Sequence, residues 1–449
     1  MVQSLRSVVG RLAETGGLTR VAREVDARHM SALLVKAENP LVFERVRGFD
    51  FPVVGGLYWT RKRLAAALAW PEADLGLRFP QGIERMLDPV FVDDAPSQQV
   101  VRTGNDADLT TLPIPLLGEK DGGPFISAGI VLAHDQELGC VNAGVYRLMY
   151  RSPRRTSIDL VTVSDLRRSY ERAFKRGEAL PITVCIGAHP YQILSAAYKA
   201  PPGVSELNIA GGLHGSPLRI ARAKTNDVPV LADCEIVLEG EIAPVGWTVD
   251  EGPFGDFAGM YTELRWNPVF NINAITCRTD AMLQVIQMPW ENAWLGAAAT
   301  EAQVWEVLKR AGVSVAAVRV TEGSMCRFSV IAAIRKRAGG GKNALMAILS
   351  LPDTKHAIVV DEGVDIGDPV QIESALTFRV QADRDVIIVP GAQAKHIDPS
   401  VLAWELPKGE LPMTAKMGID ATIPERVPPS HYELIRPAFM DEVKLGDII

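Results

Sequence analysis

Two carboxylates five positions apart draw attention in the segment EGPFGD, where Glu251 and Asp256 enclose the sequence GPFG. Neighbours on one helix face are three or four residues apart, and neighbours on one strand face are two apart. The two glycines and the proline instead favour a stiff turn that can aim both acids into one cavity. Paired carboxylates in a cavity push their pKa values apart, so one can hold a proton while the other stays ionised. The alternative is a surface turn whose acids are simply solvated.

More acids occur upstream in ADCEIVLEGEI, a strand-like run that contains Glu235, Glu239 and Glu241. A carboxylate that faces inward among aliphatic side chains must be paired or bound to a metal. We therefore consider Glu235 or Glu239 as a ligand of a hard cation such as Mg²⁺, Mn²⁺ or Ca²⁺. A solvated strand face is the alternative, because charged residues are mostly exposed.

The run CVNAGVYRLMY contributes an amide, Asn142, and a cation, Arg147. An arginine within such an apolar run needs an anionic partner, either a carboxylate or a phosphate. An exposed arginine on an edge strand is the alternative. The seven histidines show no metal-ligand spacing, and no dinucleotide-binding, P-loop or G-x-S-x-G motif occurs.

Composition limits the class of protein. A chain of 449 residues with 47% hydrophobic residues has room for two or three globular domains. Its net charge of −7 argues against nucleic acid or an anionic membrane as the main partner. Five scattered cysteines without a CxxC pair indicate a reducing compartment. With no recognisable secretory signal and no run of 18 apolar residues, we expect a cytoplasmic enzyme.

The elements that must position these residues form three blocks. Helical and short β-rich patterns alternate over the first hundred residues, strand patterns dominate from about residue 126, and the last third is again mixed. The Pro- and Gly-rich stretch TTLPIPLLGEKDGGPF is typical of a domain boundary or a covering loop. We predict an α/β (α+β) protein with an N-terminal α/β domain (1–115), a mostly β central domain (116–300) and a C-terminal α/β domain (301–449).

Taken together, these stretches resemble the UbiD family of prenylated-FMN-dependent decarboxylases. The resemblance extends from PLVFERVRGFDFPVVGGLY through DGGPF, NAGVYR, IGAHP and EIVLEG to EGPFGD, IDPS and KMGIDAT. Its most specific part is EIVLEG followed closely by EGPFGD, with N-x4-R upstream. The resemblance implies a split-β-barrel, flavin-binding central domain, an oligomerisation tail at the C-terminus, and a homodimer or larger homo-oligomer.

The resemblance also implies a reaction. Arg147, Glu251 and Asp256 match the catalytic network of the family, with Asp256 as the proton donor. The implied activity is reversible, non-oxidative decarboxylation of an aromatic, heteroaromatic or α,β-unsaturated carboxylic acid. It would proceed through a covalent adduct of the substrate with prenylated FMN, loss of CO₂ and protonation by Asp256. A flavin prenyltransferase would supply the cofactor.

By the same resemblance, Asn142 and Glu235 match ligands of a divalent metal, Mn²⁺ or Mg²⁺, with K⁺ as a further ion. The family supplies a histidine as the third ligand, but this sequence has Asp165 there and no histidine between His134 and His189. Asp165 either binds the cation in an altered site or only caps a helix beside Ser164. The residues expected at the cofactor are Asn142, Ala143, Gly144, Val145, Tyr146, Arg147, Ser164, Asp165, Glu235 and Lys416.

The substrate pocket is predicted around the proton donor. Phe257 follows Asp256 directly, and QMPWENAWLG adds Trp290, Trp294 and Leu295, which suggest a flat apolar slot for an aromatic acid. Packing in the core is the alternative for these tryptophans. No arginine or histidine lies in that stretch, which disfavours a dicarboxylate substrate. The missing histidine ligand supports a second functional hypothesis, a non-catalytic or accessory subunit with an altered cofactor and metal site.

Overall fold

The computed structural model describes residues 3–443 except 396, 403–404, 407–409, 411, 434, 439 and 441. Among the described residues, no helix is both long enough and apolar enough to cross a membrane. Of the predicted oligomerisation tail, residues 434, 439, 441 and 444–449 lie outside the described part of the chain.

The N-terminal block packs amphipathic helices against a small sheet. Its elements are α1 (Leu5–Glu14), β1 (Thr19–Val21), α2 (Met30–Lys36), β2 (Leu41–Phe43), β3 (Val53–Gly55), α3 (Arg61–Leu68) and α4 (Leu75–Glu84). The sheet has the order β1-β2-β3-β20, where β20 (Leu283–Gln284) comes from much later in the chain. The N-terminal block is therefore joined to the central block by backbone hydrogen bonds.

A nine-stranded antiparallel sheet, which forms a half-barrel, organises the centre. Its strands are β5 (Val100–Thr103), β6 (Phe125–Ile126), β7 (Gly129–Asp135), β8 (Cys140–Val145), β9 (Leu148–Ser152), β10 (Arg155–Ser157), β11 (Leu180–Ile186), β14 (Ile236–Ile242) and β19 (Val269–Cys277). The order is β6-β9-β10-β19-β14-β11-β7-β8, with β5 also paired to β19. Inward-facing Val, Ile and Leu side chains make the middle strands almost fully buried.

Smaller elements surround this sheet. They are β4 (Val90–Phe91), α5 (Asp165–Lys175), α6 (Pro190–Ala197), α7 (Glu206–His214), β12 (Arg219–Arg222), β13 (Pro229–Leu231), β15 (Val249–Glu251), β16 (Phe254–Gly255), β17 (Tyr261–Thr262) and β18 (Arg265–Asn267). Residues Ile209 to His214 of the glycine-rich sequence IAGGLHGS belong to α7, which is capped by Gly215. The strand pattern predicted from about residue 126 is interrupted after Ser157, because the chain leaves the sheet there and the Asp159 amide donates to the Arg147 carbonyl (3.2 Å).

The C-terminal block is a mixed five-stranded sheet with helices. Its elements are α8 (Trp290–Arg310), β21 (Ser314–Val320), β22 (Ser329–Arg335), α9 (Gly340–Leu349), β23 (His356–Asp361), α10 (Pro369–Arg379), α11 (Ala382–Asp385), β24 (Val386–Gln393) and β25 (Met413–Asp420), in the sheet order β21-β22-β23-β25-β24. Together the three blocks confirm the predicted fold class. The predicted boundary at residue 300 falls inside α8, whose buried face contributes to the largest hydrophobic core.

Candidate active site

Three carboxylates converge on Arg147, which follows β8. The Arg147 Nε donates to Glu251 Oε1 at 2.8 Å, and Nη1 donates to Asp256 Oδ2 at 2.7 Å. The Asp159 carboxylate lies 3.3 Å from Nη1, and the guanidinium carbon lies 4.5 Å from the centre of the Phe254 ring. Planar guanidinium groups suit such multiple pairing and ring stacking. The structure thus brings Arg147, Glu251 and Asp256 together.

The turn aims the two acids because each follows its own short ribbon. Glu251 ends β15, which pairs with β18, whereas Asp256 follows β16, which pairs with β17. Between them the backbone of Gly252 has φ of 104°, a conformation that side chains disfavour. The β16–β17 ribbon lies in the chain between the two strands of the β15–β18 ribbon. The five-residue spacing therefore places Glu251 and Asp256 on different ribbons while both carboxylates reach Arg147.

Burial and charge oppose each other at this centre. The side chain of Glu251 is fully buried, and burial raises its pKa, although Arg147 and the Ser157 hydroxyl, which donates to Oε2 at 2.5 Å, counteract this. Burial disfavours the Arg147 cation, but its three carboxylates hold the Arg147 pKa above the usual value. The Asp256 side chain keeps 13% exposure, so this acid is the one of the pair that a ligand can reach.

A second polar group lies around Asn142 on β8. Glu206, the first residue of α7, accepts a hydrogen bond from the Ala143 amide at 2.8 Å and lies 3.4 Å from Asn142 Nδ2. The Asn142 Oδ1 is buried and has no hydrogen-bond partner among the described residues. Asp165 lines the same small cavity. Burial raises the pKa of Glu206 to about 7, and the negative charge of Asp165 adds to this shift.

These oxygen donors fit a hard divalent cation. The described residues contain no group of three or more His, Cys, Asp or Glu side chains placed to hold a metal. Asn142, Asp165 and Glu206 nevertheless offer one unpartnered amide oxygen and two carboxylates, which is the ligand chemistry of Mg²⁺ and Mn²⁺. A cation here would also relieve the electrostatic cost of burying Glu206.

Asp165 does not serve as a helix cap. Ser164 is the N-cap of α5, since its hydroxyl accepts from the Arg167 amide at 3.2 Å. Asp165 is the first residue inside the helix and pairs with Arg168 at 2.9 Å, at a partly exposed position. The capping role that the sequence allowed for Asp165 therefore belongs to its neighbour.

One edge of the central sheet lies at Asn142. β8 is the last strand of the sheet and pairs only with β7 within the described residues. The backbone from Asn142 through Ala143 and Gly144 to Val145 thus has one unpaired side, apart from the Ala143 amide that Glu206 holds. Tyr146, next along the chain, hydrogen-bonds Ser164. An edge strand leaves backbone donors and acceptors available for pairing with another polar group.

The structure does not place Glu235 with Asn142 and Asp165. Its carboxylate accepts from Arg6 Nε at 3.0 Å and Nη2 at 2.8 Å, and from the Met282 amide at 3.1 Å. It precedes β14, which is separated from β8 by β11 and β7. The prediction of Glu235 as a ligand beside Asn142 is corrected, because its need for a partner is met by an ion pair with α1.

Glu239, the other acid considered as a metal ligand, also has hydrogen-bond partners within the protein. One oxygen of this fully buried carboxylate accepts from the amides of Lys224 and Thr225, at 2.7 and 2.8 Å. It therefore closes a loop and lies among backbone donors.

Lys416 also lies apart from the cofactor candidates. It is buried on β25, where its Nζ donates to the Leu349 carbonyl at 2.9 Å and to the Leu351 carbonyl. These bonds hold the end of α9 on the C-terminal sheet. The structure thus gives Lys416 a structural contact in place of the predicted approach to the cofactor.

The aromatic candidates divide into two kinds. Trp294 and Leu295 are buried in the largest core, and Trp290 stacks on Trp59 with ring centres 4.9 Å apart. Phe257 instead lies beside the proton-donor candidate and stacks on Phe328 at 6.1 Å. Substrate contact by the first three stays a prediction, and the structure shows packing contacts for them.

The sequence did not single out Asp159, Ser157 and Glu206, which contact the predicted site residues, or Arg327, which stacks on Phe257. Asp159 and Ser157 belong to a run that we interpreted as a strand, and no local pattern marks either as a partner of the catalytic candidates. Glu206 follows the N-cap Ser205, where an acidic residue is expected for helix stability alone. No sequence signal distinguished these residues from structural ones.

Comparison with known proteins places this geometry in a family. Three models match successive parts of the chain: the N-terminal domain (9–78), the Rift-related domain (90–289) and the C-terminal domain (293–421) of 3-octaprenyl-4-hydroxybenzoate carboxy-lyase, UbiD. The chain belongs to the UbiD family. It is accordingly an enzyme of the carboxy-lyase class, as predicted.

Several UbiD relatives are similar over their whole length. Anhydromevalonate phosphate decarboxylase of Methanothermobacter thermautotrophicus is 33% identical over 410 residues, which cover 90% of this chain and 93% of the relative. The UbiD-class enzyme HmfF from Pelotomaculum thermopropionicum in complex with FMN is 35% identical, with a TM-score of 0.90 and coverage of 99% and 100%. An evolved dimeric form of HmfF, in complex with prFMN, is 33% identical with a TM-score of 0.87 and coverage of 100% of both chains. The 3,4-dihydroxybenzoic acid decarboxylase AroY of Klebsiella pneumoniae is 26% identical, with a TM-score of 0.87 and coverage of 98% and 99%.

Proposed function

We propose that this UbiD-family enzyme reversibly decarboxylates an aromatic, heteroaromatic or α,β-unsaturated carboxylic acid with prenylated FMN as cofactor. The observation that carries the proposal is the convergence of Glu251, Asp256 and Asp159 on Arg147, where Asp256 is partly exposed and Glu251 is fully buried. The names of HmfF, bound to FMN or prFMN, and of AroY, a dihydroxybenzoic acid decarboxylase, support the cofactor and the aromatic substrate class.

The roles of the side chains follow from their positions. Arg147, held by Glu251 and stacked on Phe254, would orient the reacting carboxylate at a site with little water. Prenylated FMN, when bound, supplies the acceptor for the electron pair that departing CO₂ leaves behind. Asp256 would then deliver a proton from its carboxyl group to that carbon. In the reverse direction the same carboxylate would remove the proton before carboxylation.

The cofactor would lie along β8, and a divalent cation would be held by Asn142, Asp165 and Glu206. Glu206 takes the place first assigned to Glu235, because it contacts Asn142 and Glu235 does not. A carboxylate at 165 adds negative charge to a site that would also face a phosphate, so the cation is needed to balance it. Mn²⁺ or Mg²⁺ is therefore proposed for this site.

Native mass spectrometry of the chain co-expressed with a flavin prenyltransferase, with metal analysis of the same sample, tests the cofactor and the assembly. We expect one prenylated FMN and one divalent metal per chain in a homodimer or larger homo-oligomer. A protein that stays empty of flavin would favour the alternative function, an accessory subunit.

The proton donor is tested by Asp256→Asn. This change keeps the shape of the side chain but removes its acidic proton, so we expect turnover of aromatic acids to fall by roughly 10²- to 10⁴-fold. Bound flavin should stay at the wild-type level. The matched control is Asp250→Asn, because Asp250 lies on β15 in the neighbouring ribbon but pairs with Arg151 at a partly exposed position. Equal activity of Asp256→Asn and the control would exclude Asp256 as the donor.

A further inference from the structure

A second arginine, Arg327, contacts Phe257, the residue that follows the proposed proton donor Asp256. Arg327 follows two consecutive residues with left-handed backbones, Met325 (φ 51°) and Cys326 (φ 55°), in the connection from β21 to β22. Such conformations are costly for side-chain-bearing residues and persist where the surroundings enforce them. The loop therefore holds Arg327 in one direction, towards the central block.

The guanidinium of Arg327 lies between Phe257 of the central block and helix α8. Its central carbon lies 4.4 Å from the centre of the Phe257 ring, and Nη2 donates to Asn292 Oδ1 at 3.2 Å. On α8, a Cβ at Gly296 would approach Nε to 2.6 Å, so the absence of a side chain there makes room for the cation. The placement thus depends on three separate segments of the chain.

The hydrogen-bonding capacity of Arg327 is largely unused. A guanidinium carries five N–H donors. Within the described residues the Arg327 guanidinium makes one hydrogen bond, to Asn292, its buried Nε has no partner, and it forms no ion pair with a described carboxylate. The residue as a whole is partly exposed. Burial lowers the Arg327 pKa, while the charges of Asp353 and Asp256 raise it.

Arg147 and Arg327, the two arginines near Asp256, differ in the number of their carboxylate partners. Arg147 already faces three carboxylates, whereas Arg327 stacks on Phe257, the residue directly after Asp256, without an anion. Because Phe257 follows Asp256 and contacts Arg327, this guanidinium is the nearby cation that a substrate reacting at Asp256 would meet on the side of Phe257. An unpaired, partly buried guanidinium is suited to bind an oxyanion.

We propose that Arg327 binds a second anionic group of the substrate, a carboxylate or a phosphate remote from the reacting carboxylate, and so selects dianionic acids. This inference rests on the proposed function. It also revises the expectation drawn from residues 287–296, where no arginine occurs. The cation comes instead from the C-terminal block, and the helix that contains most of that stretch supplies Asn292 and Gly296 to hold it.

Binding and turnover of matched acids test the proposal on the cofactor-loaded enzyme. The probes are benzoate, benzene-1,4-dicarboxylate and 4-(phosphonooxy)benzoate, measured by calorimetry with wild type, Arg327→Gln and Arg327→Lys. We expect wild type to bind at least one dianion about 10- to 100-fold more tightly than benzoate, the range of a hydrogen-bonded charge pair. The preferred dianion then identifies carboxylate or phosphate as the second group.

In Arg327→Gln the dianion preference should disappear while the affinity for benzoate is unchanged, and Arg327→Lys should retain part of the preference. Arg337→Gln, an exposed arginine of the same block, is the control. Equal weakening of all three acids by Arg327→Gln would show that Arg327 only positions the Phe257 loop and would overturn the inference. If Arg327→Gln fails to fold, Arg327→Met is measured instead, and a full wild-type dianion preference in that uncharged variant overturns the inference.

Failure of the inference and failure of the proposed function give different results. Turnover of monoanionic acids without any dianion preference overturns the inference and leaves the function standing. A dianion preference in binding that depends on Arg327, without turnover of any acid, supports the inference and overturns the function.

Discussion

Charge is unevenly distributed around the two polar clusters of this enzyme. At Arg147 one cation meets three carboxylates, and around Asn142 two carboxylates meet no described cation other than Arg168, which pairs with Asp165 at the surface. Both clusters therefore need a proton or an added cation to balance buried negative charge. This shared need connects the proposed catalytic cluster with the proposed cofactor and metal cluster.

Glu206 is the buried acid beside Asn142, and its protonation should control metal binding at the proposed site. Its pKa of about 7 in the folded protein means that it is largely protonated below neutral pH, so a metal bound at the proposed site would have to displace that proton. We expect Mn²⁺ affinity, measured by calorimetry, to rise between pH 6 and pH 8, and Glu206→Gln to lose most of the bound metal.

Glu235→Gln is the comparison variant for Glu206→Gln. Because Glu235 is paired with Arg6, this change should lower stability but leave the metal content per folded chain unchanged. Loss of metal from Glu235→Gln, with retention in Glu206→Gln, would contradict the assignment.

At the scale of the elements, the start of α8 is tied to the N-terminal block by a buried acid. Glu291 accepts from the Tyr58 amide at 3.0 Å and from the Gln287 amide at 2.8 Å. Burial raises the pKa of Glu291 to about 7, whereas an unfolded glutamate titrates near 4.5. Between about pH 4.5 and 7, Glu291 is therefore protonated in the folded protein and ionised in the unfolded chain.

The sign of the resulting pH effect follows from linkage. Between about pH 4.5 and 7 the folded state binds more protons at Glu291 than the unfolded state, so this group makes stability fall as pH rises. Relative to Glu291→Gln, wild type should lose roughly 3 kcal/mol of unfolding free energy between pH 5 and 8. Urea unfolding at several pH values measures this difference. A pH-independent gap between the two proteins would show that Glu291 is already ionised when folded.

At the scale of the whole molecule, the three blocks share one core and one buried ion pair. The largest hydrophobic cluster includes residues from α1, the central sheet, α8 and the C-terminal sheet. Arg61 of α3 donates to both oxygens of the fully buried Glu301 of α8, at 2.7 and 3.2 Å. The pair joins the N-terminal block to the helix that leads into the C-terminal block.

Breaking this pair from one side should be costly. Arg61→Met leaves the Glu301 charge buried without its partner, so we expect a loss of about 3–5 kcal/mol in unfolding free energy. Adding Glu301→Gln removes the charge but keeps an acceptor for the Val320 amide, and should recover part of the loss. Thermal and urea unfolding of the single and double variants measure the coupling. Equal stability of Arg61→Met and the double variant would mean that the unpaired charge of Glu301 does not cause the loss of stability in Arg61→Met.

Much of the arrangement was predictable because it depends on local pattern. The order of helices and strands follows from hydrophobic periodicity and from stops at Gly and Pro, and EGPFGD with Arg147 upstream marked the centre to which Glu251 and Asp256 belong. The family resemblance rested on these same stretches.

Only the tertiary structure decided which buried acid joins Asn142. A carboxylate within an apolar strand is equally compatible with a metal and with an ion pair, and the partner of Glu235 is 229 residues away in the chain. Glu206 looked like an ordinary first-turn acid, and Arg327 lay outside the stretch searched for substrate contacts. Their roles depend on which segments meet in space, a property that residue types and local spacing do not contain.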